Sequence, residues 1–163
     1  MFWRLRRVDF AHMTGEARKA ALKELTLRQE PPGLLAYHDG QPVAWCSLGP
    51  RQDFPALERS RSLKRIDAVP VWSIVCFYVA KPFRRQGLLI GLIRMAAAYA
   101  RSRGARMLEA YPVDIHSPRL KGLTLHGFHG YMGIATTFEA AGFVQVGRAS
   151  ETQLIMRCDL EVG

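Results

Sequence analysis

The chain has little cysteine, and what it has is scattered. Cys46, Cys76 and Cys158 are an odd number, and none stands at the close spacing of a thiolate metal site. A disulfide scaffold and a zinc ribbon are thereby excluded, and the thiols are expected to be buried and free. A long hydrophobic run is also missing. The longest, Leu88 to Ala100, is broken by Arg94 and is too short and too alanine-rich to span a bilayer, so no membrane partner is expected. The N-terminal MFWRLRRVDF has charge but no apolar run leading to a small-residue cleavage site, so a cytoplasmic setting is expected. Acidic residues are in deficit: 14 Asp+Glu against 23 Lys+Arg give a formal net charge of +9. Such an excess suits nucleic acid, an anionic cofactor or acidic substrates, and composition does not choose among them.

What is present is enough for one core. A length of 163 residues with 48% hydrophobic content predicts a single domain over 1–163. Thr14 to Arg28 has helical spacing, with Thr14 as N-cap and Pro31-Pro32 as the stop. Leu34 to Tyr37 and Val43 to Leu48 flank an Asp39-Gly40 turn and predict a hairpin. A short helix is expected around Phe54 to Ser60. Val71 to Val79 (VWSIVCFYV) has the pattern of a central strand covered on both faces, with Trp72, Ile74, Cys76 and Tyr78 expected to share one of them. Leu88 to Arg103 reads as a long helix closed by Gly104, and Arg106 to Tyr111 as a second buried strand. Asp114 to Tyr131 has no periodicity and reads as a long functional loop. A short helix over Gly133 to Ala141 and strands at Phe143 to Val146 and Gln153 to Asp159 complete an α/β fold with a mixed sheet.

The unit with chemical content is strand, basic turn and helix: VWSIVCFYV, then Ala80-Lys81-Pro82-Phe83-Arg84-Arg85-Gln86-Gly87, then the helix from Leu88. A helix N-terminus leaves backbone N–H groups free and carries partial positive charge, so it holds a phosphate or pyrophosphate without special side chains. Gly87 lets the backbone approach the anion, and Arg84 and Arg85 add guanidinium donors. No Gly-Lys-Ser/Thr follows, and no second glycine stands two before Gly87, so nucleotide triphosphate and dinucleotide loops are both disfavoured.

These residues resemble the GNAT superfamily of acetyl-CoA-dependent N-acyltransferases, in a bacterial subgroup of unassigned substrate. Its signature, Arg/Gln-x-x-Gly-x-Gly/Ala opening a helix, is similar to Arg84-Arg85-Gln86-Gly87-Leu88-Leu89, and Phe138-Glu139-Ala140-Ala141-Gly142-Phe143 looks like the family's helix-to-strand element. The resemblance runs from Gly33 to Asp159. It implies a GNAT-like, mostly antiparallel central sheet flanked by helices, with acetyl-CoA as co-substrate and no metal. It further implies that the backbone near Phe77 and Val79 pairs with the pantetheine arm, and that the Arg85 to Leu89 amides hold the pyrophosphate beside Arg84, Gln86 and Leu88. The sequence departs from the pattern at three places. Leu89 stands where Gly or Ala is usual, Phe138 where many members have a tyrosine that protonates the leaving thiolate, and only about a dozen residues precede the Thr14 helix. Either FWRLRRV makes a short first strand or the N-terminal part is shortened.

For the chemistry, Glu109 and Tyr111 lie two apart on one strand face. A Glu in an apolar strand is either a base of raised pKa or the partner of an arginine such as Arg106 or Arg94. Asp114 is a rim carboxylate or a turn cap. Tyr131 is a core aromatic or a replacement for the phenol absent at Phe138, and Phe138 packs on the cofactor or the core. His116, His126 and His129 have too few companions for a metal. The leading expectation is an N-acetyltransferase that moves an acetyl group to a primary amine of a small molecule or peptide, by direct transfer in a ternary complex. A homodimer is compatible with it. The alternative is a noncatalytic acyl-CoA-binding or regulatory module. Nucleic-acid binding ranks last, for want of interleaved aromatics or a recognition helix.

Overall fold

The computed structural model describes residues 2–28, 30–121 and 131–161. Its centre is the apolar strand β3 (Trp72–Val79) in a six-stranded sheet. The other strands are β1 (Gly33–His38), β2 (Gln41–Pro50), β4 (Met107–Ala110), β5 (Val144–Ser150) and β6 (Gln153–Asp159), in the order β1-β2-β3-β4-β6-β5. Neighbours run antiparallel except β3 and β4, which are parallel. This is the mixed, mostly antiparallel sheet expected. The Asp39-Gly40 turn has positive φ at both residues (48° and 73°), whose twist matches the flanking strands.

The helices are α1 (Arg7–His12), α2 (Gly15–Thr26), α3 (Pro55–Glu58), α4 (Leu88–Ser102) and α5 (Ala135–Glu139). Thr14 caps α2 by accepting from the Ala17 N–H at 3.2 Å. On one face of the sheet α4 buries Leu92, Ile93, Ala96 and Ala100 against Cys46, Leu48, Ile74 and Phe138. On the other, Phe54, Leu57 and Leu63 pack with Val75, Tyr111 and Ile155.

The N-terminal segment is not a strand. Phe2–Arg4 form a 3₁₀ turn, and α1 follows. The Arg4 guanidinium holds the turn down, donating to the carbonyls of Pro32 at 2.9 Å and Leu48 at 2.8 Å and stacking 4.4 Å over the Phe54 ring.

β3 also departs from simple alternation. Phe77 lies opposite Cys46, Cys76 opposite Ser47 and Ile74 opposite Leu48, so Val75 has no counterpart and bulges out of the ladder. Trp72 and Ile74 therefore share the α4 face with Phe77 and Val79, whereas Cys76 turns with Val75 to the opposite layer. The expected Trp72, Ile74, Cys76, Tyr78 face is corrected by this one extra residue. Cysteine burial is corrected too: Cys46 is buried, and Cys76 and Cys158 are only partly so.

β3 and β4 pair only from Trp72 opposite Leu108 to Ile74 opposite Ala110. Past the bulge they diverge, and residues 131–135 enter the gap. There the Phe77 N–H donates to the Tyr131 carbonyl at 2.6 Å, Val113 N–H to Gly133 at 2.9 Å, and Ala135 N–H to Val113 at 2.9 Å. The entering chain needs Gly133, which has φ +82° and where a Cβ would lie 2.8 Å from a Phe138 ring carbon. Gly133→Ala is expected to lower stability by about 1–3 kcal/mol, from backbone strain and overpacking together. Urea unfolding with an unchanged midpoint would contradict this.

Candidate functional site

The basic turn after β3 places two left-handed residues close together just before α4. Lys81–Phe83 make a 3₁₀ turn, Arg85 has φ 62°, and Gly87, the N-cap of α4, has φ 76°. Left-handed residues close to right-handed ones turn successive N–H groups toward a common point, which is how backbone nests bind anions. Among the described residues, no heavy atom beyond its own chain neighbours and the α4 backbone lies within 4 Å of where a Gly87 Cβ would stand. Arg84 folds back so that its Nε donates to the Val79 carbonyl at 2.8 Å, and the Gln86 amide donates to the Pro82 carbonyl at 2.8 Å. Both side chains brace the turn. Leu88 and Leu89 are partly buried, and Leu89 packs against the core under α4, so its bulk points inward and its N–H remains at the helix start.

Glu109 and Tyr111 do share a face, in a buried ionic network. Glu109 is 1% exposed, and its Oε1 accepts from Arg51 at 2.6 Å and from the Tyr111 hydroxyl at 2.7 Å. Its Oε2 accepts from Arg157 Nε at 2.8 Å. Arg51 also donates to Tyr111 Oη at 2.8 Å, to Glu58 at 2.7 Å and to the Leu63 carbonyl, while Arg157 reaches Asp67 at 2.6 Å. Burial pushes the Tyr111 phenol well up, and the Glu109 charge adds to this. The arginine partners are thus Arg51 and Arg157. Arg106 pairs with Glu161 and Arg94 donates to the Ala140 carbonyl.

Sequence reasoning missed both partners. Arg157 lies opposite Glu109 in the β4–β6 register, and opposite charges inside two apolar strands were the available signal. Arg51 had none, because its Glu109 and Tyr111 contacts lie 58 and 60 residues away in the chain.

Tyr131 is half-buried beside Trp3 and Cys76. Burial pushes its phenol up and Cys76 adds to this, while Trp3 and the Arg7 charge pull it back. It stands at the floor of a cleft of about 840 Å³, walled also by the N-terminal turn, the Pro55 to Leu63 segment and the β5–β6 turn. Phe138 lies on the far side of the sheet gap, fully buried, with its ring 5.9 Å from that of Phe77 and 5.0 Å from that of Phe143. Asp114 caps the turn at His116 N–H (3.1 Å) and pairs with Arg148 at 2.8 Å, and the Arg148 hydrogen bond holds its carboxyl below the usual range. His126 and His129 lie outside the described residues. Among the described residues no group of three His, Cys, Asp or Glu is placed to hold a metal ion, and no helix is long and apolar enough to cross a membrane.

The sequence model of the Acetyltransferase (GNAT) family matches residues 1–128. No curated protein matches the chain. Among solved structures, an N-acetyltransferase from Staphylococcus aureus Mu50 superposes with a TM-score of 0.56 at 15% identity, covering 91% of this chain and 78% of that one. A ribosomal-protein-alanine N-acetyltransferase from Brucella melitensis gives 0.52 at 21% identity, with 90% and 79% covered. An acetyltransferase of the GNAT family from Streptococcus pneumoniae gives 0.51 at 13%, with 91% and 77% covered. At these identities the likeness is one of fold.

Proposed function

The chain belongs to the GNAT acetyltransferase family, and from that premise we propose that it transfers the acetyl group of acetyl-CoA directly to a primary amine, without a covalent enzyme intermediate. The observation that supports this reading most is the pair of left-handed residues Arg85 and Gly87 at the α4 N-terminus, directly after a strand that parts from β4 beyond Ile74. The nest suits a pyrophosphate, with the α4 N-terminus behind it and open space before Gly87. The edge of β3 beyond its pairing with β4, at Phe77 and Val79, suits the pantetheine arm. Its Phe77 N–H is held by the Tyr131 carbonyl at 2.6 Å, so the arm or the thioester carbonyl takes over a donor that the protein now satisfies itself.

In the step itself the neutral amine nitrogen attacks the thioester carbonyl carbon, the C–S bond breaks, and the thiolate of coenzyme A is protonated as it leaves, while the proton shed by the nitrogen passes to water and restores the donor. A backbone N–H polarises the carbonyl, and Tyr131, protonated at neutral pH as any phenol is, supplies the proton in place of Phe138. Glu109 and Tyr111 have a positioning role: they fix β4 where it parts from β3. A peptide α-amino group titrates at about 7.7–8.0, so an appreciable neutral fraction is present at mild alkaline pH without a dedicated base.

Burial raises the Cys76 thiol above its ordinary value, which disfavours an acyl-thioester on the enzyme. Release of free thiol from acetyl-CoA over a panel of amines tests the reading. Cys76→Ser is expected to retain turnover within roughly threefold, since no bond to that sulfur forms. Acetyl label trapped on Cys76, with loss of turnover in the variant, would instead establish a covalent route. No thiol release with any amine of the panel, despite tight acetyl-CoA binding, would favour a binding module.

A further inference from the structure

The cleft above Tyr131 is basic in a way that the acetyl-CoA reading does not use. Arg6, Arg7, Arg59 and Arg61 line it, and among the described residues no Asp or Glu does. Arg6 is bound by Asp9 at 2.6 Å. Arg7, Arg59 and Arg61 have no carboxylate within ion-pair distance among the described residues, whereas Arg51, Arg65, Arg103, Arg106, Arg119, Arg148 and Arg157 each have one. Residues 122–130, outside the described set, contain no Asp or Glu in sequence, so no acidic side chain from that stretch can offset the charge. The apolar part of the wall, with Trp3, Leu63 and Met132, lowers the local dielectric and lets the guanidinium field act over the whole concavity. At the floor, Tyr131 joins the cleft to β3 by accepting from the Phe77 N–H, and Arg7 is near enough to act on the Tyr131 phenol.

We propose that this cleft is the acceptor site and that it selects amines carrying acidic groups, carboxylate or phosphate, which Arg7, Arg59 and Arg61 engage while the amine reaches down to Tyr131. This rests on the acetyl-transfer reading for the role of the amine, but the preference for acid is a binding property that stands or falls by itself. Guanidinium matches a carboxylate or phosphate with two parallel N–H donors, which gives geometry as well as attraction. A polycationic acceptor, such as a polyamine or an aminoglycoside, would meet three unpaired positive charges on entry. The Arg59 and Arg61 clusters, which the nest at Gly87 leaves without a partner, thereby acquire one.

The probes are three tripeptides with free N-termini, alanine followed by two glutamates, two glutamines or two lysines, with free glutamate as the small-molecule arm. Each is titrated calorimetrically into the full chain and into the Arg59→Ala/Arg61→Ala double variant, whose melting temperature is checked first. Both side chains are exposed and without an ion-pair carboxylate, so the variant is expected to fold normally. The acidic peptide is expected to bind at least on the order of tenfold tighter than the neutral one, to weaken by a similar factor in the double variant, and to weaken with added salt. Acidic and neutral peptides binding alike, the lysine peptide binding best, or acidic binding unchanged in the double variant would each overturn the proposal. Whether glutamate alone binds tells a small acceptor from a peptide, and either result supports an acid-selective site. Thiol release is followed in parallel. Acidic binding without acetylation of any amine refutes the transfer reading and leaves the cleft assignment intact. Acetylation of amines without acid preference does the reverse.

Discussion

Gly87→Glu is expected to weaken acetyl-CoA binding by roughly 100-fold or more, because like charges brought together in a binding site cost several kcal/mol. Two effects combine. The position has φ +76°, where a side chain costs about 1–2 kcal/mol of backbone energy. The added carboxylate would also occupy the open space in front of the nest, where the pyrophosphate is to sit. Gly87→Ala separates the two, since it carries the backbone cost without the charge, and a loss of about tenfold is expected from it. Titration of acetyl-CoA into the three proteins, each shown folded by circular dichroism, gives the comparison. Equal affinity for parent and glutamate variant would move the cofactor site away from the α4 N-terminus.

Removing Glu109 is expected to have the largest effect on stability. Glu109→Ala leaves Arg51 and Arg157 as buried cations facing an empty site, and breaking a buried pair from one side costs roughly 3–5 kcal/mol. In a domain of this size that corresponds to a fall in Tm on the order of 10 °C. Tyr111 would also lose a partner for its hydroxyl, leaving only Arg51 and Ser73, the latter at 2.9 Å. Glu109→Gln keeps the shape and part of the hydrogen bonding, and a smaller fall is expected. The same pair of variants separates a positioning role from a base. If Glu109 took the amine proton, Glu109→Gln would lower kcat with little loss of stability and would remove the lower limb of the pH profile. With a positioning role, Tm falls and the pH profile of the remaining activity keeps its shape.

The parts of the fold written in local chemistry were legible in the sequence. The apolar run of β3, the Thr14 cap, the Asp39-Gly40 turn, and Gly87 before an alanine- and leucine-rich helix each act within a few residues, and each lies where its residues predict. The Val75 bulge was not legible, since a β-branched residue among others looks the same whether it is paired or extruded, and the choice is made by the partner strand β2. α1 was missed because its six residues carry no side-chain N-cap, and it is held from α2, where Arg18 donates to the Phe10 carbonyl at 3.0 Å and stacks on the Phe10 ring.

The candidate site divides along the same line. The basic turn and the helix start at Leu88 are local features and were readable. The fate of Glu109 depends on Arg51 and Arg157, two basic residues of the 23 in the chain, brought in by tertiary structure. The cleft arginines came as two separate sequence clusters, Arg4 to Arg7 and Arg59 to Arg65, and only the packing of the N-terminal turn beside α3 makes them one surface. The positive charge is thereby divided between the turn before α4, a set of internal ion pairs, and a concave wall lined by Arg6, Arg7, Arg59 and Arg61.

The most direct test follows an isotope-labelled acetyl group from acetyl-CoA in the presence of an amine that carries carboxylates. The account predicts that the label appears as an amide on the acceptor nitrogen, in amounts equal to the free coenzyme A released, with none on the protein. Acetyl-CoA that neither binds nor is consumed, or label held on the enzyme, would contradict it.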